Sequence, residues 1–227
     1  MNLQARIEDV HHRIEAACRR SGRSPEDINV IAVTKYVSLE ATREALDHGL
    51  TQVGENRWQD AKEKWEALGD RGDWHFIGHL QTNKVKDIIG KFAYIHSLDR
   101  ASLAKELEKE AAKRDLFVKC FIQVNVSGEE SKYGLPPEEL ESFAKDLKQY
   151  PHLQIVGLMT MAPLEAEAEA TRPVFRKLRE LRDALNAERI LPEPLRHLSM
   201  GMSGDFEVAI EEGATWVRLG TVLVGKS

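Results

Sequence analysis

Hydrophobic and polar positions along the chain follow two alternating periods, and this predicts a repeating strand–helix architecture. Short runs rich in β-branched and aromatic residues are typical of buried strands and recur at residues 28–35, 52–56, 74–78, 93–96, 118–126, 153–159, 195–200 and 215–219. Between them, apolar residues at three- and four-residue steps predict helices at residues 39–48, 58–68, 82–88, 100–114, 136–150, 165–187 and 205–211. Eight strands that alternate with helices favour a closed parallel barrel over an open sheet.

The two ends of the chain depart from a regular eightfold repeat. A helix ending near Gly22 precedes the first strand, and its apolar stripe consists of Leu3, Ile7, Val10, Ile14 and Ala17. After the eighth strand only residues 220–227 remain, so the last helix is nearly absent. We expect the N-terminal helix to cover the part of the barrel where a full last helix would lie. The predicted fold is a (β/α)8 TIM barrel of class α/β, in which residues 1–227 form a single domain.

Charge and cysteine content exclude several classes of function. The formal net charge of -5 argues against binding of nucleic acid or another extended polyanion, although a local pocket for one small anion remains compatible with it. Cys18 and Cys120 lie far apart and suggest neither a disulfide framework nor a zinc site, and no histidine pair has metal-ligand spacing, so we predict no metal. Neither a signal peptide nor a membrane span is evident, and we expect a cytoplasmic, monomeric protein.

The first predicted strand ends at a lysine, Lys35, shortly before a plausible helix start at Ser38. An ammonium group beside an apolar core is costly unless it is paired or exposed, and the neutral amine is the form that attacks an aldehyde. Lys35 is therefore a candidate Schiff-base lysine. The alternative is a solvated lysine at the end of a strand.

The loops after the seventh and eighth strands are rich in small and hydroxylated residues, which are Ser199, Gly201, Ser203, Gly204, Gly220 and Thr221. In barrels of this type these two loops often bind phosphate, because small residues let backbone N–H groups approach it. Each loop alone is also compatible with an ordinary turn. A phosphate here and an amine after the first strand would suit a phosphorylated aldehyde, with pyridoxal 5'-phosphate as the prime candidate.

Further residues fall where a barrel pocket would lie. Arg218 precedes Gly220 by two residues, so strand alternation can direct its side chain inward; the alternative is an arginine paired with a carboxylate at the strand end. Four other residues fall at or just past strand ends and are candidate pocket residues, with packing or capping at the barrel rim as the alternative: Asn56, His79, Tyr94 and Met159. We interpret His75 and His96 as strand residues.

Seven segments together resemble, in order along nearly the whole chain, the pyridoxal phosphate homeostasis protein family. They are residues 32–35 (AVTK), 54–57 (GENR), 74–84 (WHFIGHLQTNK), 127–134 (SGEESKYG), 157–161 (GLMTM), 198–205 (LSMGMSGD) and 217–221 (VRLGT). The resemblance implies a barrel like the N-terminal domain of alanine racemase, with pyridoxal phosphate held as a Schiff base on Lys35. It also implies phosphate contacts from Ser199, Gly201, Gly220 and Thr221, and Arg218 facing the pyridine nitrogen. The tail, residues 224–227, departs from the arginine-containing ending of many members, which puts tail contacts in doubt.

Members of that family bind and buffer the cofactor and influence vitamin B6 and amino-acid balance, without an established turnover. An arginine beside the pyridine nitrogen disfavours protonation there and weakens the ring as an electron sink. Alanine racemase has this arginine but takes a second base, a tyrosine, from a further domain of a dimer partner, for which this sequence leaves no length. The leading interpretation is therefore a non-catalytic carrier that delivers cofactor to apo forms of pyridoxal-dependent enzymes. The alternatives are a slow amino-acid racemase with Lys35 as its sole base, and a barrel that binds a different phosphate.

Overall fold

A computed structural model describes residues 1–225 as a closed barrel of eight parallel strands, which confirms the predicted fold class. Each strand pairs with the next, and the first and last strands close the barrel. The strands are β1 (Asn29–Val33), β2 (Gln52–Glu55), β3 (Asp73–Phe76), β4 (Tyr94–Leu98), β5 (Val118–Gln123), β6 (Leu153–Met159), β7 (His197–Ser199) and β8 (Trp216–Leu219). Lys226 and Ser227, half of the tail that departs from the family ending, lie outside the described residues.

Helices surround the barrel in the predicted order. They are α1 (Leu3–Ser21), α2 (Leu39–Asp47), α3 (Trp58–Leu68), α4 (Val85–Ile88), α5 (Ala101–Lys113), α6 (Leu140–Leu147), α7 (Arg172–Ala187) and α8 (Phe206–Glu211), and single 3-10 turns precede α4, α6 and α7. The prediction of a helix from residue 165 is wrong, because Pro163 starts a turn closed by a hydrogen bond from the Ala166 N–H to the Pro163 carbonyl. Helical structure begins only at Ala168.

Helix α1 lies where the prediction places it, against α8 and the segment that follows β8. The Arg6 side chain donates to the carbonyl of Leu223 over 2.6 Å, and Arg23 donates to the carbonyls of Ile210 and Ala214 over 2.7 Å each. The α1 residues that become buried are Leu3, Ile7, Val10, Ile14, Ala17 and Cys18. Residues 220–225 form turns, so α1 supplies the cover that a last helix would give.

The strands of the barrel separate two buried regions, one between the strands and the helices and one inside the barrel. Between strands and helices lies a large apolar core, as expected for side chains on the outer face of each strand. Inside the barrel a smaller cluster forms around Ile31, Phe121, Met159 and Trp216. Polar side chains share this inner space, and these lumenal residues reach the carboxyl ends of the strands. Within residues 1–225, no helix combines the length and apolar character needed to cross a membrane.

Candidate functional site

Lys35 lies in a turn two residues beyond β1, so the prediction that it ends the strand is wrong. The chain leaves the sheet at Thr34, where the Val37 N–H donates to the Thr34 carbonyl over 3.1 Å and closes a turn. Lys35 is partly exposed, and its Nζ lies 4.9 Å from the ring centroid of Tyr36. This amine makes no hydrogen bond or ion pair with another group of residues 1–225, so it is available to a ligand.

A buried ion pair between Glu55 and Lys64 stabilises this turn. Glu55 is fully buried, and its Oε1 accepts hydrogen bonds from Lys64 Nζ at 2.6 Å and from Thr34 Oγ1 at 2.8 Å. Lys64 also donates to the Thr34 carbonyl over 2.7 Å, which ties α3 to the residue before Lys35. Burial raises the pKa of Glu55, and the Lys64 ammonium opposes that rise.

One signal in the sequence could have identified this pair. Ala61, Lys64 and Leu68 share one face of α3 at helical spacing, and all three are buried. A lysine on a buried helix face needs a partner, and Glu55 at the end of the neighbouring strand supplies it.

A pocket of about 730 Å³ opens at the carboxyl ends of the strands, where barrel sites lie. This volume falls within the range of pockets that bind small organic cofactors. Seven of the sequence-predicted residues line it, namely Lys35, Asn56, Ser203, Gly204, Arg218, Gly220 and Thr221. Gly78 also lines the pocket, and a Cβ there would lie only 2.4 Å from the Asn56 Cβ, so the close approach of these two loops requires a glycine.

The other predicted residues lie outside the pocket lining. Met159 is fully buried within the barrel, and Tyr94 lies in the lumen with its ring stacked on His75. Ser199 is fully buried beneath the pocket. His79 stacks on Tyr133 with 3.9 Å between ring centroids, and partial burial lowers its pKa, helped by the charge of Arg100.

Gly201 acts through the shape of its loop. Its φ of 101° is a left-handed conformation that favours glycine, and an added Cβ would lie 2.7 Å from the Cβ of Ala209. Ser203, two residues later, lines the pocket in its place. The Ser203 Oγ accepts hydrogen bonds from the N–H groups of Gly220 (3.3 Å) and Val222 (3.4 Å), and so joins the loops after β7 and β8.

Arg218 is the cation at the base of the pocket. Its side chain points into the barrel, only 3% of the residue is exposed, and it donates to Ser199 Oγ (2.6 Å) and to the Thr160 carbonyl (3.1 Å). Three of its five N–H groups have no protein partner among residues 1–225. Burial lowers the pKa of Arg218 to about 10, which the Asp205 carboxylate opposes, so the guanidinium is charged at neutral pH.

The segment 127–134 lies beside the pocket. Lys132 reaches across to the Met161 carbonyl over 3.4 Å and pairs with Glu129 in its own loop, and Met161 lines the pocket. The stacking of Tyr133 on His79 attaches the same loop to the segment after β3. Residues 127–134 therefore form part of the pocket surroundings.

Metal-ligand and thiol chemistry find no support in the described part of the chain. No group of three or more histidine, cysteine, aspartate or glutamate side chains within residues 1–225 is arranged to hold a metal ion. Cys18 and Cys120 are both buried and unpaired, and burial raises the pKa of Cys120 to about 12. A thiol of such high pKa is a poor nucleophile.

Comparisons with known proteins agree with this geometry. The family described as alanine racemase, N-terminal domain, matches residues 6–227. The chain is 49% identical over 227 residues to the pyridoxal phosphate homeostasis protein of Aquifex aeolicus, covering 100% of this chain and 99% of that protein. It is 43% identical to the protein of the same name from Pseudomonas aeruginosa, covering 96% and 93%.

Solved structures show the same fold. PipY of Synechococcus elongatus, whose structure has PLP bound, matches with a TM-score of 0.83 and 36% identity, covering 94% of this chain and 100% of that chain. Alanine racemase of Clostridium difficile matches with a TM-score of 0.75 at 16% identity, covering 98% of this chain and 56% of that chain, a likeness of fold alone. The barrel, the pocket at its carboxyl end and the full-length similarity together make this chain a member of the pyridoxal phosphate homeostasis protein family.

Proposed function

We propose that this protein binds pyridoxal 5'-phosphate in the pocket and holds it covalently on Lys35. The observation that carries the proposal is the composition of the pocket: an amine with no protein partner, a buried guanidinium and the hydroxylated loops after β7 and β8 share one cavity. These groups fit an aldehyde, a pyridine nitrogen and a phosphate respectively. The PLP-bound relative PipY supports the same ligand.

Lys35 is the residue that bonds to the cofactor. When bound, pyridoxal phosphate supplies an aldehyde carbon that condenses reversibly with amines, with loss of water. The Lys35 amine is suited to this reaction because no carboxylate among residues 1–225 pairs with it, whereas the nearby Lys64 ammonium is fixed by Glu55. The Glu55–Lys64 pair keeps the Thr34 carbonyl, and hence the turn that carries Lys35, in place.

The loops after β7 and β8 hold the phosphate in this proposal. The N–H groups of Ser203, Gly204 and Thr221 make no hydrogen bonds with other groups of residues 1–225 and can donate to phosphate oxygens. We assign the serine hydroxyl contact to Ser203, because Ser199 is buried beneath the pocket and bonded to Arg218. Gly201 and Gly220 shape the two loops.

Arg218 faces the pyridine nitrogen and keeps it unprotonated, because a second positive charge beside a guanidinium is unfavourable. Besides Lys35, the titratable side chains lining the described pocket are Tyr36, Asp205 and Arg218. Tyr36 neighbours Lys35 in the same turn and does not face it across the pocket, and Asp205 is buried and accepts the Met202 N–H within its own loop, so the described lining offers no second base placed opposite Lys35. The protein therefore acts as a carrier that buffers the cofactor and delivers it to apo-enzymes.

Absorbance titration with pyridoxal phosphate tests the proposal. We expect wild-type protein to develop the yellow absorption band of a lysine-bound cofactor, Lys35→Ala to lose it, and the exposed-lysine control Lys62→Ala to keep it. The third alternative, a different phosphate ligand, predicts that the wild type stays colourless. Equal bands in the wild type and Lys35→Ala would overturn the assignment of Lys35.

Two further assays separate carrier from enzyme. An apo-enzyme trap that gains cofactor faster from loaded protein than from an equal free pool would support delivery, and equal rates would contradict it. Incubation of amino acids in heavy water tests the racemase alternative: exchange of the α-hydrogen in the wild type but not in Lys35→Ala would favour slow catalysis, and no exchange would favour the carrier.

A further inference from the structure

A chain of hydrogen-bonded polar side chains runs through the barrel lumen beneath the pocket; it is buried from Arg218 to His75, whereas Gln52 is half-buried and Asp73 is exposed. From the pocket to the opposite end, its members are Arg218, Ser199, His96, His75, Gln52 and Asp73. The successive distances are 2.6 Å (Arg218 Nη1 to Ser199 Oγ), 2.8 Å (Ser199 Oγ to His96 Nδ1), 2.9 Å (His96 Nε2 to His75 Nδ1), 2.8 Å (His75 Nε2 to Gln52 Oε1) and 3.1 Å (Gln52 Nε2 to Asp73 Oδ2). The chain thus links a cation in the pocket to a carboxylate at the other end of the barrel.

Only one arrangement of hydrogens satisfies every link. The order is set from both ends. The Arg218 guanidinium can only donate, so Ser199 accepts from it. The Asp73 carboxylate can only accept, so the Gln52 amide oxygen is left to accept from His75. Since His75 then accepts at Nδ1 from His96 Nε2, the Ser199 hydroxyl proton goes to Nδ1 of His96. His96 must then carry its proton on Nε2 and donate to Nδ1 of His75. His75 in turn donates from Nε2 to the amide oxygen of Gln52, whose NH2 group donates to Asp73. Both histidines are neutral and hold their protons on Nε2.

The surroundings fix this arrangement in place. The ring of His75 stacks on Tyr94 with centroids 4.6 Å apart, and the ring of His96 stacks on Phe121 at 4.3 Å, so neither imidazole can rotate without displacing an aromatic neighbour. Burial lowers the pKa of His75 to about 3 and that of His96 well below its ordinary value, with the charge of Arg218 contributing at His96. Neutrality of both rings is therefore maintained at physiological pH.

We infer that His96 and His75 are positioning residues: acting through Ser199, they hold the Arg218 guanidinium at a fixed position and orientation in the pocket. Proton conduction along the chain is a poorer explanation, because the Gln52 amide cannot relay a proton as an imidazole does. The chain also presents Ser199 to Arg218 as an acceptor only, since its hydroxyl proton is engaged by His96. The effect of Arg218 positioning on a bound ligand rests on the proposed function. The order of hydrogen-bond donors and acceptors from Arg218 to Asp73 does not.

Nitrogen-15 NMR of the cofactor-free protein tests the inference directly. We expect the His75 and His96 rings to show the neutral form protonated at Nε2, and the Arg218 guanidinium to show separate Nη signals because its rotation is hindered. His96→Leu should collapse the Arg218 signals toward the averaged pattern of a mobile arginine. His96→Asn places an amide oxygen near the former Nδ1 position, where it accepts from Ser199, and should restore the separate signals.

The matched control is His197→Leu, which removes a lumenal histidine that is bonded to Thr215 and lies outside the chain. It should leave the Arg218 signals unchanged. Charged or Nδ1-protonated rings in the wild type would overturn the inference even if His96→Leu does not fold. Separate Arg218 signals that persist in a folded His96→Leu protein would also overturn it.

Cofactor binding gives the second readout. We expect His96→Leu to weaken pyridoxal phosphate binding about tenfold and to shift the absorption maximum of the bound cofactor, with most of the affinity restored in His96→Asn. Ser199 without its His96 partner holds the Arg218 guanidinium less firmly, and one hydrogen bond to a charged group is worth about a factor of ten or more. Unchanged affinity and an unchanged absorption maximum in His96→Leu would contradict the positioning role. If the wild type bound no pyridoxal phosphate, the proposed function would fail, and the NMR result would still decide the inference.

Discussion

Single residues in the barrel lumen show how a polar group is kept neutral inside a protein. His75 lies on the inner face of β3 and is fully buried, so a charge on its ring would be poorly solvated. Protonation would also place a donor at Nδ1, where the ring now accepts from His96. Both effects favour the neutral imidazole, and this links the stability of the fold to pH.

The pH dependence of unfolding should reveal His75. Its pKa falls from 6.5 in the unfolded chain to about 3 in the fold, so the unfolded state takes up more protons as pH drops. The stability that depends on neutral His75 is fully present above pH 6.5 and is lost as pH falls toward 3. Comparing denaturant unfolding at pH 7 and 4.5, we expect the wild type to lose about 2 to 3 kcal/mol more than His75→Asn. Equal losses in the two proteins would show that His75 does not titrate in this way.

Once a barrel is assumed, the sequence predicts which polar side chains point into its lumen. Strand alternation directs four polar side chains inward, which are those of His75, His96, Ser199 and Arg218. Their apolar neighbours, such as Phe76 and Leu198, point to the opposite face. Interpreting the two histidines as plain strand residues correctly placed them in β3 and β4. It missed their bonds, because which inward positions meet depends on strand register, which a single sequence does not specify.

At the scale of secondary-structure elements, the Glu55–Lys64 pair connects α3, β2 and the turn after β1. Burial of the pair is unfavourable because both ionic groups lose their hydration. In addition, Glu55 Oε2 has no hydrogen-bond partner in the described structure. Removal of one member strongly destabilises the folded protein, because the other member remains buried and unpaired.

Replacement of one member should therefore cost more than replacement of both. We expect Lys64→Met to lower the free energy of unfolding by about 3 to 5 kcal/mol, and the double variant Glu55→Leu/Lys64→Met to recover at least half of that loss. Because Glu55 protonates more readily without Lys64, the deficit of Lys64→Met should be smaller at pH 5 than at pH 8. Urea unfolding measures all three proteins, and a double variant as unstable as Lys64→Met would contradict this account.

Element boundaries were predicted least well where local hydrogen bonds override the apolar pattern. Strand β6 was predicted with its observed bounds because its apolar run coincides with its pairing. The first strand was predicted to extend two residues too far at its carboxyl end, because Thr34 and Lys35 belong to a turn closed by Val37, which hydrophobicity does not reveal. That error did not displace Lys35 from the pocket, since the turn lies at the carboxyl end of β1.

At the scale of the whole molecule, α1 completes the shell of helices around the barrel. It buries a continuous apolar face against α8, and its basic side chains pair with Glu207 and Glu211 on that helix. Without α1, the outer face of α8 would be exposed to water. The fold class and the position of α1 could be predicted from the number of strands and the length of the chain. The pocket contacts could not, because they depend on loop conformations such as that of Gly201.

Deletion of residues 1–22 should therefore destabilise the whole barrel. Burying one Leu or Ile side chain contributes about 1.5 to 3 kcal/mol, and α1 buries several, so the sum is comparable to the stability of a typical domain. We expect the shortened protein to aggregate or to unfold at much lower temperature, as measured by size-exclusion chromatography and thermal denaturation. A soluble, shortened protein with the thermal midpoint of the full chain would refute this role for α1.

Chemical trapping tests whether Lys35 carries the cofactor, as we propose. The protein is loaded with pyridoxal phosphate, reduced with borohydride, digested and mapped by mass spectrometry, with Lys35→Ala treated in parallel. We expect pyridoxyl phosphate on the peptide containing Lys35 and its loss from that site in the variant. Modification spread over exposed lysines with Lys35 unlabelled, or no modification at all, would contradict it.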